Sequence, residues 1–141
     1  MLEVIKTDQA PSARPVGVST TLGEEAITLV EPPKYDVPVT GFAGGRRLAD
    51  AVAEITSPLI LANVTNHDDV EVTVWIERAD GSQSTVAWRW QVASRDALRI
   101  QLNGQFLVSG DRLRAEADRD DTIEATMSYT VGEREEEDVH S

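Results

Sequence analysis

The segment from residue 69 to 92 constrains the fold more than any other. "DVEVTVWIER" sets Val70, Val72, Val74 and Ile76 on one side of an extended chain and Glu71, Thr73, Trp75 and Glu77 on the other. Period-2 alternation of this kind buries one face of a strand and would scatter apolar groups around a helix. "ADGS" at 79–82 follows, and Asp-Gly suits the positive φ angles of a tight hairpin turn. "STVAWRWQV" then returns, with Val86, Trp88, Trp90 and Val92 expected inward and Ala87, Arg89 and Gln91 outward. By the same parity Trp75 points away from the core, with Arg89 as its cross-strand neighbour.

The alternation continues downstream. Leu98, Ile100 and Leu102 share a face in "LRIQL", Leu113, Ala115 and Ala117 in "DRLRAEA", and Ile123, Ala125, Met127 and Tyr129 in "TIEATMSYT". Turn signals "SRDA" and "DRDD" separate these runs. Short alternating strands punctuated in this way predict an all-β fold, an antiparallel β-sandwich or jelly-roll-like barrel. Upstream, "SPLILANVTN" reads as a strand entered after Pro58, in a first or edge position. "RRLADAVAEI" is open: Leu48, Ala51, Val52 and Ile55 fit a short helix, and the β-branched run that follows fits a strand.

Residues 1–47 have a different texture, with five of the six prolines and Gly17, Gly23, Gly41, Gly44 and Gly45. Each proline removes an amide donor and pushes the residue before it toward extended geometry. This part is expected to be an extended N-terminal arm, its best strand being "AITLV" at 26–30, that needs a core or a neighbour to lie on. The main domain is expected over 48–131. Residues 132–141 read as an acidic tail, since "EREEED" alone carries five acids and one Arg.

Charge and residue types narrow the function. Twenty-five acidic against 13 basic residues give a net charge of −12, a field that repels nucleic acid. The chain has no cysteine and two histidines, His67 and His140, which argues against thiol catalysis, thiolate metal sites and a Ser-His-Asp triad. The expectation is therefore no enzyme, no cofactor and no metal. "NHDD" at 66–69 and "DRDD" at 118–121 lack the spacing of a calcium loop and suit turns. "GFAGGRR" lacks the strand, helix and Lys of a phosphate cradle and reads as a flexible joint. "NVT" at 63–65 fits a glycosylation acceptor only formally. No window has the apolar length of a membrane span, and the N-terminus lacks a signal-peptide core, so a soluble, unprocessed protein is expected, with no membrane partner.

Contact surfaces remain. Trp75, with Arg89 beside it, can anchor a protein contact or be covered by the arm, and Tyr35 and Phe42 are further candidate exposed aromatics. In "LNGQFLVSGDRL" at 102–113, the apolar pair Phe106 and Leu107 sits in a connection. It is expected either to plug the sandwich end or to face a neighbouring subunit.

The run "LRIQLNGQFLVSGDRLRAEADRDDTIEATMSYTVGEREEEDV" resembles a small structural protein of tailed-phage virions. There a Pro-containing extended part leads to "SPLILANVTN", a hairpin strand, an "LNGQFL" segment, a "SGD" step and a final "SYT" strand with an acidic tail; the resemblance spans residues 32–138. It implies a virion component without catalytic residues, partnered by the major capsid protein or other virion structural subunits and forming a homo-oligomer. A head decoration or cement role is favoured over a neck, head-tail connector or tail role, and a carbohydrate-binding or adhesion sandwich is the competing class.

Overall fold

A computed structural model describes residues 14–38, 46–66 and 68–133, with backbone alone for 34–38, 46–50 and 133. Every regular element in them is a strand: β1 (Arg14–Leu22), β2 (Ile27–Val30), β3 (Lys34–Pro38), β4 (Arg46–Ile55), β5 (Leu59–Asn63), β6 (Val70–Glu77), β7 (Gln83–Val92), β8 (Ala97–Ile100), β9 (Phe106–Val108), β10 (Arg112–Ala117) and β11 (Ile123–Glu133). All pairings are antiparallel. A seven-stranded sheet runs β3-β4-β11-β5-β8, with β1 on β11 and β9 on β4, and a four-stranded sheet runs β2-β10-β6-β7. The two curled sheets form the expected sandwich, or half-barrel.

β6 is the clearest case of sequence becoming structure. Val70, Val72, Val74 and Ile76 are all buried while their neighbours are half-exposed. Each fully buried side chain contributes about 1.5–3 kcal/mol. Leu113, Ala115 and Ala117 of β10 extend this layer. Ile55, Leu59, Leu61, Ile123, Ala125 and Met127 face it from the larger sheet. Tyr129 is only half-buried against this core, and partial burial raises its phenol pKa. β11 is the spine of the larger sheet. Its first half pairs with β5 and its second half with β4, while β1 covers it over nine register positions.

Two expectations are corrected here. The segment expected as an arm supplies three strands over residues 14–38, in both sheets, and Leu22, Leu29 and Val30 lie in the core. The strand expected at 26–30 is present as β2, the alternation in "VGVSTTL" goes unread beside the prolines, and the core that this segment needs is the chain's own. The open choice at "RRLADAVAEI" resolves to the strand β4, because Ala51, Ala53 and Ile55 must all face the core at period 2.

The second correction concerns the tryptophans. Trp88 and Trp90 are 69% and 55% exposed, whereas Ala87 and Val92 are the buried residues of β7. The register gives the reason. Between Val72↔Trp90 and Val74↔Ala87, β7 has one residue more than β6, and it gains another before Trp75↔Thr85. Two β-bulges thus break the parity that simple alternation assumes. One of them holds Arg89 at φ 48°. Because β7 is the sheet edge, Trp90 remains exposed even opposite buried Val72.

Candidate interaction surfaces

The outer face of the four-stranded sheet is built from residues that alternate with the core. Register places Thr73 beside Glu116, Trp75 beside Arg114 and Glu77 beside Arg112. Trp75 is half-buried in this row, and its indole N–H donates to Glu77 Oε2 at 3.1 Å. Glu77 also pairs with the Arg112 guanidinium. These two donors, the indole first, hold the Glu77 carboxyl below its usual range. Arg89 does not neighbour Trp75 as expected, since Trp75 stands opposite Thr85. The bulge carries Arg89 along the strand, where its Nε donates to Glu71 Oε1 at 2.9 Å and its amide to Thr73 Oγ1 at 3.2 Å.

The same bulge places exposed Trp88 over the end of this face. Trp88, Arg89, Glu71, Thr73, Glu116, Ala117, Asp118 and Glu24 line a groove of about 240 Å³. Sequence parity missed it because Trp88 was assigned to the core. No local signal marks it, because the bulges that turn Trp88 outward are set by pairing with β6.

The connection 102–113 splits its apolar pair. Leu107 is fully buried, and Phe106 is 56% exposed. They sit on the short strand β9 against β4, where Leu107 opposes Ala53 and Phe106 opposes Glu54. The pair is therefore divided: Leu107 fills the core and Phe106 faces outward. The Gly-Asp step that follows is a clasp. Buried Asp111 accepts from the amides of Ala79 at 2.9 Å and Val108 at 3.0 Å, and pairs with Arg78 at 3.2 Å. Gly110 has φ +97°, and a Cβ there would lie 2.6 Å from that of Ala79, so the tight approach of this turn to the β6–β7 hairpin requires glycine.

Other singled-out residues are also structural. Asp80 accepts from the hydroxyl and then the amide of Ser82 in the "ADGS" turn, which lowers its pKa. Asp68 pairs with Arg119, Asp118 accepts from the Glu71 amide, and Asp120 accepts from the Glu24 amide at 2.7 Å. The two Asp clusters thereby tie loops together. Among the described residues, no three His, Asp or Glu side chains converge as metal ligands. Asn63 of "NVT" is buried, donating to the Asp68 and Val92 carbonyls and accepting from Thr65, a position no glycan reaches. For Tyr35 the backbone of β3 alone is described, and Phe42, His67, His140, "GFAGG" and most of the acidic tail lie outside the described residues.

No family model matches the chain, and no curated protein matches it. Similar solved structures come from infectious bursal disease virus. The T13 IBDV viral particle is 12% identical, with TM-score 0.44, over 87% of this chain and 31% of that one. The Gx strain is 10% identical, with TM-score 0.41, over 92% and 34%. The VP2 subviral particle is 10% identical, with TM-score 0.28, over 88% and 42%. This chain spans about a third of the length of the first two. Scores this low at such identities establish neither shared descent nor shared function.

Proposed function

We propose that this chain is a structural, non-enzymatic subunit of a virus particle, and that it acts as a decoration or cement protein binding across capsid subunits of a bacteriophage head. The observation that carries this reading is the placement of its exposed aromatics. Trp88 and Trp90 lie on the edge strand of one sheet, and Phe106 lies on a strand of the other. Large aromatics are the residues that dominate contact energies when desolvated in an interface. A small domain offering them from both sheets is suited to hold two neighbours at once, which is what cement between capsomers must do. The sequence resemblance to tailed-phage virion proteins and the acidic charge, which keeps free subunits soluble before assembly, point the same way.

The test is co-expression with the shell protein encoded in the same genome, followed by density-gradient sedimentation and electron microscopy of the particles. Cement predicts that the chain sediments with shells at many copies and that shells without it break at lower temperature. Recovery only at a single vertex, or along the tails of whole particles stained in parallel, would move the protein to the neck or tail. Complete, equally stable shells with the chain left at the top of the gradient would refute the cement reading.

A further inference from the structure

The groove under Trp88 has an aromatic wall and an acidic floor. Four carboxylates, Glu24, Glu71, Glu116 and Asp118, line it against one guanidinium, Arg89. Arg89 is already engaged by Glu71, and Asp118 accepts from a backbone amide. Among the described residues no cation pairs with Glu24 or Glu116. The Trp88 side chain is the most exposed of the large apolar residues in the described structure, and a bulge, which disrupts regular pairing of the edge, aims it over the groove. An aromatic face beside carboxylates that no described cation pairs, here Glu24 and Glu116, is the chemistry that binds a guanidinium or ammonium group, through the ring quadrupole and through charge-assisted hydrogen bonds.

We infer that this groove is a docking site for a basic segment of another protein, which lays an Arg or Lys side chain across Trp88 and between Glu24 and Glu116. The bulges make the alternative use of this edge, strand addition by a second copy, unfavourable, because they interrupt the row of backbone donors and acceptors. Arg suits the site better than Lys, since its planar group stacks on indole while its fork reaches a carboxylate. The site stands whether or not the chain proves to be a virion subunit.

The experiment titrates the full-length chain with a capped arginine–serine repeat peptide, its lysine–serine counterpart and an oligosaccharide panel, followed by calorimetry and amide NMR shifts. Binding of the arginine peptide is expected, weaker binding of the lysine peptide, and loss of affinity as salt is raised. Trp88→Ala should weaken the arginine peptide on the order of tenfold and Glu116→Gln severalfold, with shifts confined to β6, β7, β10 and the turn that carries Glu24. Trp90→Ala, outside the groove, should bind as wild type and so controls for non-specific attraction to an acidic protein. Circular dichroism verifies that each variant folds. The inference is overturned if Trp88→Ala binds the peptide as wild type does, or if Trp90→Ala weakens it equally. It is likewise overturned if oligosaccharides rather than the peptide occupy the groove, or if Glu116→Gln instead dissolves a homodimer seen by sedimentation.

Discussion

Asp111 offers the sharpest test of how the two sheets are joined. Its carboxylate takes two backbone amides, one from the β6–β7 hairpin and one from β9, and its side chain is 6% exposed. Asp111→Ala leaves both part-buried amides without an acceptor. A hydrogen bond to a charged group is worth about 1.5–3 kcal/mol, and the lower end applies to each, because water reaches the turn once the carboxylate is gone. The Arg78 pair adds little, since that side chain is 34% exposed and such pairs contribute about 0–1 kcal/mol. The total is about 3 kcal/mol, or a fall in Tm of about 10 °C for a domain of this size. Asp111→Asn keeps one acceptor and turns an NH₂ toward the other amide, so it should lose about half as much. Urea unfolding, with an unchanged m value, measures both. If Asp111→Ala costs less than about 0.5 kcal/mol, as an ordinary surface change would, the clasp is not what holds this turn.

Leu107→Ala should cost about 2–5 kcal/mol by opening a core cavity, whereas Phe106→Ala on the exposed side of the same strand should change stability by less than about 1 kcal/mol; equal losses would contradict the split of this pair. Glu77, whose folded pKa lies below its ordinary value of 4.5, contributes stability that is fully present above that value and disappears as pH falls through the lower folded pKa. Glu77→Gln should therefore lie below wild type in Tm at neutral pH and converge with it in acid, a difference that thermal melts across pH would show. A constant gap at all pH values would mean that the charge on Glu77 is irrelevant.

How far the fold was legible depends on whether a signal is local. The alternation in β6, β10 and β11 and the Asp-Gly turn identify an antiparallel all-β fold, because the period of two is a property of the strand itself and each inward residue turned out to be buried or partly so. The same rule fails in β7, where two extra residues shift the side-chain phase; a bulge is defined by the partner strand's length, which no local pattern contains. It fails as well for residues 14–38, whose prolines and glycines mark extended chain without saying what it pairs with, and nine register positions on β11 are a long-range fact. Nothing local marks Asp111 as a clasp, because Arg78 and the Ala79 amide reach it from 33 and 32 positions away. The candidate groove shows the division most clearly. Two of its four carboxylates, Glu71 and Glu116, were visible as outward positions of β6 and β10, since solvated faces carry such residues. That Trp88 stands over them instead of in the core is decided only when the edge strand bulges, because the direction of a side chain depends on pairing across the sheet as well as on its place along the chain.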